Sequence, residues 1–307
     1  MDDVMLDRAR GCAVGAAIGD ALGMPLEFKP ARPPARLELE MIGGRLPAGT
    51  FTDDTEMALA LAESLLAYRP LDPADLAVRF AEWYCAGPED IGGQVRRVLD
   101  HLRPGVTWKE ASSAAQRIWP AAAGNGSVMR CWPVALAYYD DFEGLLADSV
   151  LQSEVTHPLP ECMAASAFLN AVVFELLHGA ARQQAVETAL GAARVPEALR
   201  AAIEAAPRRR REDLPNTGWA RHTVTNAVWG LLTTGSFEDA LVQVINLGDD
   251  ADTVGTVTGM LAGAAYGLAA IPPRWRAELH GAWPINSRTF WRDPDFVRLA
   301  DRLVMRA

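Results

Sequence analysis

The 307-residue sequence predicts an all-α protein, a compact single-domain helical bundle spanning residues 1–307. Three observations carry that expectation. Apolar residues at helical spacing recur about a dozen times, and no run alternates as a strand would. Two segments place glycine at every fourth position: Gly11, Gly15, Gly19 and Gly23, then Gly255, Gly259, Gly263 and Gly267. Residues i and i+4 share a helix face and glycine weakens a helix, so each stripe implies a backbone packed close against it. The two helices are expected at the centre, packed on each other. Lastly, two Thr/Asp clusters stand at predicted helix starts far apart in the chain, at Thr52–Asp54 and Asp249–Thr253. One domain has to join them if they serve one site.

Composition narrows the function. Half the residues are hydrophobic, ample for a large core, and the net charge of −10 argues against a nucleic-acid partner. Cys12, Cys85, Cys131 and Cys162 are scattered without a CxxC pair, which disfavours a zinc knuckle or disulfide framework and suits a reducing cytoplasm. The Met-Asp-Asp start has the wrong charge for a signal peptide. Residues 253–273 carry no charge and are long enough to span a bilayer, but they are rich in Gly, Ala and Thr, with acids crowding their start. They read as a buried helix, so no membrane partner is expected. The run Arg208 to Arg211, flanked by Pro207 and by Glu212, Asp213 and Pro215, reads as a solvated loop. With only Lys29 and Lys109 present, a Schiff-base lysine has few candidates.

In chain order, residues 7–22 form the first helix. Asp20 and Glu27 flank its end, and Pro25 places Glu27 on a loop. Thr52 is a candidate N-cap, with Asp53 and Asp54 in the first turn of a helix running through 57–66. Helices follow at 72–85, 94–102 and 108–119, and Asp90 is a candidate cap for the second of these. The loop Gly124-Asn125-Gly126-Ser127 leads into a helix at 132–139; free N–H groups at such a start suit an anion, although no Gly-Lys-Ser/Thr of a Walker loop is present. His157 precedes a helix at 161–177 and stands open as ligand, phosphate donor or helix-start residue. An Ala-rich helical stretch at 183–206 is broken at Gly191 and Pro196. Helices at 222–232 and 237–245 lead to the second acid cluster, and short helices follow Pro272 and Pro273.

The acid clusters hold the chemistry. One Asp suffices to cap a helix start, so two or three with a Thr exceed that need, and carboxylates so close repel unless a cation or donors compensate. Capping and metal binding both remain open on local grounds. Together the clusters offer enough hard oxygens for two Mg²⁺ or Mn²⁺ ions; the spacing is not that of an EF-hand calcium loop.

The ordered set Gly15-x-x-x-Gly19-Asp20-Ala21-Leu22-Gly23, Phe51-Thr52-Asp53-Asp54-Thr55, Asp90-Ile91-Gly92, Gly124-Asn125-Gly126-Ser127-x-Met129-Arg130, His157-Pro158 and Asn246-Leu247-Gly248-Asp249-Asp250-Ala251-Asp252-Thr253 resembles the ADP-ribosylglycohydrolase family over nearly the whole chain. Within it the chain looks most like the bacterial dinitrogenase reductase-activating type, which removes ADP-ribose from arginine. The resemblance implies an orthogonal all-α bundle, a binuclear Mg²⁺ or Mn²⁺ site, an ADP-ribosylated protein as substrate and ADP-ribose as product. Carried over by motif, Thr52, Asp53, Asp54, Asp250, Asp252 and Thr253 are expected as metal ligands. Asp90 and Glu27 are expected as catalytic acids. Gly92, Asn125, Gly126, Ser127 and His157 are expected to bind substrate, with Trp219 standing where arginine-directed relatives tend to have Tyr. Asp249 stands where relatives often have Gly and is left out of the ligand set. Two other classes compete: a non-catalytic ADP-ribose-binding relative, which bound metal would argue against, and a binuclear phosphoesterase, which would yield AMP instead of intact ADP-ribose.

Overall fold

The computed structural model describes residues 2–305. Fifteen α-helices run in the order α1 (Asp3–Gly23), α2 (Asp53–Ala67), α3 (Pro73–Cys85), α4 (Gly93–His101), α5 (Trp108–Ile118), α6 (Trp132–Ala137), α7 (Phe142–Glu154), α8 (Pro160–Leu177), α9 (Arg182–Ala192), α10 (Glu197–Ala205), α11 (Ala220–Thr233), α12 (Phe237–Ile245), α13 (Ala251–Tyr266), α14 (Pro273–Glu278) and α15 (Asp293–Met305). The all-α expectation holds, with one correction. Two three-residue strands, β1 (His280–Ala282) and β2 (Phe290–Arg292), pair antiparallel between α14 and α15. They are too short to show an alternating pattern.

The glycine stripes meet. A Cβ added at Gly11, Gly15 or Gly19 would land on the carbonyl oxygen of Gly263, Gly259 or Gly255, and the reverse additions clash in the same way. Helices α1 and α13 are therefore antiparallel and in backbone contact, at a separation only hydrogen side chains permit. Around this pair one hydrophobic cluster extends from Ala9 to Val304. Of the charge-free residues 253–273 expected to be a buried helix, those up to Tyr266 lie in α13, all but its last two residues buried; residues 267–273 lie beyond its end, with Ala269 and Ala270 exposed. Among the described residues only α8 is long and apolar enough to cross a bilayer, and 72% of it is buried within the fold.

The predicted helices at 72–85 and 237–245 match α3 and α12; the break at Pro196 falls between α9 and α10, whereas Gly191, expected as a break, lies within the last turn of α9. Helix α7 is absent from the sequence reading for a physical reason. Its inward face is polar, with Asp148, Ser149, Gln152 and Ser153 buried, so its apolar period is broken. The arginine run is not simply a solvated loop either. Arg211 donates to the carbonyls of Arg32, Gln243 and Asn246 and so ties the segment before α13 to the N-terminal loop.

Substituting Gly19→Ala or Gly259→Ala should destabilise the protein by about 1–3 kcal/mol, because the facing group is backbone and cannot step aside. Gly191→Ala, where a Cβ meets nothing within 4 Å, should be neutral or stabilising by up to about 1 kcal/mol. Urea unfolding of the three variants checks this; a Gly19→Ala protein as stable as the parent would refute the packing account.

Candidate active site

Two devices bring the acid clusters together. The antiparallel register of α1 and α13 sets Gly23 against Ala251, so the end of α1 lies beside the start of α13. Asp20, fully buried near that end of α1, then clamps the start of α2. Its Oδ1 accepts from Thr52 Oγ1 at 2.7 Å, and its Oδ2 accepts from the backbone N–H of Thr52 at 2.9 Å and of Thr55 at 3.1 Å. Thr55 Oγ1 donates as well, at 2.5 Å. Asp53 and Asp54 are thereby released from capping. Thr52 is the N-cap by position, but makes no side-chain cap bond. Asp250 likewise makes none at the start of α13. Capping, the plain alternative for both clusters, does not account for these acids.

They instead line a cleft of about 380 Å³. Glu27, Asp53, Asp54, Asp90, Asp250, Asp252 and Thr253 form one part of its wall, and Gly92, Asn125, Gly126 and His157 another. Thr253 Oγ1 reaches Asp54 Oδ1 at 3.4 Å across the two clusters. Burial above all, then repulsion from neighbouring acids, raises the Asp53, Asp54 and Asp252 carboxyls well above the usual range. Burial also lifts Glu27 to about 7, with Arg45 opposing the shift. At the cleft rim Phe28 and Asp249 both hold positive φ, 58° and 51°, and pair by Phe28 N–H to Asp249 O at 2.7 Å. Strain of that kind beside Glu27 and Asp250 fixes the mouth of the site.

A cation already faces these acids. Arg45 Nη2 lies 2.7 Å from Glu27 Oε2, 2.8 Å from Asp90 Oδ2 and 3.6 Å from Asp252 Oδ2. Nothing in the sequence around Arg45, a loop residue between Gly44 and Pro47, signals this role. Among the described residues, no three Asp, Glu, His or Cys side chains converge into a finished metal cage. The donor set nonetheless suits hard divalent ions in kind. Asp54 Oδ2 is buried without a hydrogen-bond partner, and an orphaned carboxylate oxygen among stacked acids calls for a cation.

Gly126 and His157, in another part of the lining, offer donors. Among the described residues nothing accepts from the backbone N–H of Gly126 or Ser127. Beneath them Arg130, fully buried and without a carboxylate partner, donates to Gln152 Oε1, Gln152 O and Thr156 Oγ1. Arg130 occupies one lone pair of the Thr156 hydroxyl, and we assign the hydroxyl proton to His157 Nδ1, 2.8 Å away, the other partner of that oxygen among the described residues. The ring proton then sits on Nε2, facing the Gly124–Gly126 turn. Burial, reinforced by Arg130 and Arg97, lowers His157 to about 3, so it is a neutral N–H donor near neutral pH. Gly126 has to be glycine, since a Cβ there would lie 2.8 Å from His157 Cε1.

Several expected roles need correcting. Ser127 is fully buried and outside the cleft lining, with its hydroxyl bonded to Ser153 and Ser166, so its side chain is not available to a ligand. The Trp219 ring does not line the cleft, whose lining stops at Gly218; it is 42% exposed and its Nε1 is held by Glu161. Asn125 directs its amide N–H groups at Asp250 and Thr223, so it buttresses the acids. Asp90 does not cap α4, whose N-cap is Gly92, and Thr52 lines a side cavity instead of the main cleft.

The profile of the ADP-ribosylglycohydrolase family matches residues 1–307. The chain is 36% identical to the ADP-ribosylarginine hydrolase Tri1 of Serratia proteamaculans, over 89% of this chain and 75% of that one. It is 35% identical to the ADP-ribosyl-[dinitrogen reductase] glycohydrolase of Rhodospirillum rubrum, over 89% and 90%. A solved structure described as an ADP-ribosylglycohydrolase-related protein complex superposes with a TM-score of 0.83 at 36% identity, covering 99% of each chain. The buried acid pair of helix starts, the orphaned N–H groups and these likenesses agree, and the chain is an enzyme of the ADP-ribosylglycohydrolase family.

Proposed function

We propose that this protein hydrolyses the bond between ADP-ribose and an arginine side chain of a modified protein, with two Mg²⁺ or Mn²⁺ ions bound. The observation that carries the reading is the polarity of the cleft. An acid-rich part of the lining, which Arg45 reaches as a cation, adjoins a part that carries unpaired N–H donors, and ADP-ribose has a polyol sugar at one end and a diphosphate in its middle. Relatives named as arginine-directed hydrolases support the linkage.

Gly126 N–H, Ser127 N–H and His157 Nε2–H hold the diphosphate in this account, and the buried charge of Arg130 favours an anion there. The distal ribose lies over the acids. Asp53, Asp54, Asp250, Asp252 and Thr253, which line the cleft, would hold the two cations, and these would supply Lewis acidity and charge compensation; Thr52, expected with them, faces the side cavity and is bonded to Asp20. Hydrolysis breaks the bond from ribose C1″ to the guanidino nitrogen and forms one from C1″ to a water oxygen, with positive charge growing on the ring as in glycoside hydrolysis. Asp90 and Glu27, which flank one guanidinium in this structure, are placed to deliver a proton to the departing nitrogen and to take one from water.

Incubation with an arginine-ADP-ribosylated protein should release free ADP-ribose with Mn²⁺ and none with chelator. AMP as the product would establish the phosphoesterase instead, and release only from serine-linked substrate would move the linkage. Asp54→Asn and Asp252→Asn should each lower turnover by about a hundredfold or more while circular dichroism stays helical; near-normal turnover would remove them from the metal set. Thr156→Val should free the His157 tautomer and weaken ADP-ribose binding by about tenfold with kcat little changed, and Thr156→Ser should restore it. Nitrogen NMR showing His157 protonated on Nδ1 in the parent would contradict the donor assignment.

A further inference from the structure

We propose that a second cavity behind the acid wall is a guanidinium subsite that receives the arginine side chain of the leaving group. This rests on the hydrolase reading above and specifies its leaving-group side. The cavity, about 230 Å³, is lined among others by Phe51, Asp53, Glu56, Asp90, Ile285 and Phe290, and shares Asp53 and Asp90 with the main cleft. It is smaller than pockets that enclose drug-sized ligands, so it suits a side chain better than a nucleotide. Its walls pair carboxylates with aromatic surface, including Phe290 at 56% exposure, and that combination suits a planar cation on an alkyl stem.

The structure already shows a guanidinium taking this path. Arg45 lines the side cavity, yet its Nη2 bonds Glu27 and Asp90, which line the cleft. Its side chain is 31% exposed, and among the described residues its ion pairs are to Glu27, Asp90 and Asp252. Asp53, only 8% exposed and with no hydrogen bond or ion pair to its side chain among the described residues, stands in the shared wall. An arginine bonded to a ribose in the cleft has to leave through a wall that tolerates a cation and has space behind it. The wall at Asp53 and Asp90 meets both conditions. Arg45 is thus an internal occupant of the seat that the substrate arginine takes.

Calorimetric titration in Mg²⁺ buffer tests this, with butylguanidine, butylamine and ADP-ribose as probes. Arg45→Ala should bind butylguanidine about tenfold more tightly than the parent and about tenfold more tightly than it binds butylamine. Adding Phe290→Ala should reverse about threefold of that gain. ADP-ribose affinity should stay within about twofold throughout. If Arg45→Ala gains nothing for butylguanidine, or binds butylamine equally well, the subsite is overturned while the hydrolase reading stands. If ADP-ribose fails to bind the parent, the hydrolase reading falls and takes the subsite with it.

Discussion

Backbone-to-backbone contact between α1 and α13 is the constraint on which everything else depends. Four glycines on α1 and three on α13 are costly to helix stability, and each of the three facing pairs leaves no room for a Cβ. The register they impose puts the end of α1 beside the start of α13. Asp20 then carries the arrangement one step further by taking over the N–H groups at the start of α2. Acids distant in sequence therefore converge through one helix contact and one buried carboxylate, without a sheet to organise them.

The cleft that results is electrostatically divided. On one side, burial and mutual repulsion push the Asp53, Asp54 and Asp252 carboxyls upward, and Arg45 pairs with Glu27, Asp90 and Asp252. On the other, Arg130 lies in the core balanced only by neutral acceptors, and its effect passes through Thr156 to fix which nitrogen of His157 carries the proton. Each half is unsatisfied in the sense its proposed ligand would correct: cations for the acids, an anion for the donors.

Much of this was legible in the sequence, and the omissions have causes. The glycine spacing announced the central helix pair because period four is a local signal. The surplus of acids over what a cap requires marked both clusters, and the Gly-Asn-Gly-Ser turn marked the donor wall. What local pattern cannot carry is partnership across the fold. Asp20 reads as an ordinary helix-end acid, Arg45 as an ordinary loop arginine, and Arg130 as one letter of a motif until its buried neighbours are seen. Helix α7 escaped because its buried face is polar, and that same face supplies Gln152 to Arg130 and Ser153 to Ser127. Trp219 was expected to touch substrate because its segment does; the direction of a side chain is set by packing, and here it turns the ring to the rim.

The measurement that tests the divided cleft most directly is diffraction from crystals grown with Mn²⁺ and ADP-ribose, with anomalous data at the manganese edge. The account predicts anomalous peaks among Asp53, Asp54, Asp250 and Asp252, the distal ribose above them, and the diphosphate against Gly126, Ser127 and His157. Manganese bound elsewhere, or a diphosphate seated on the acid wall, would contradict it.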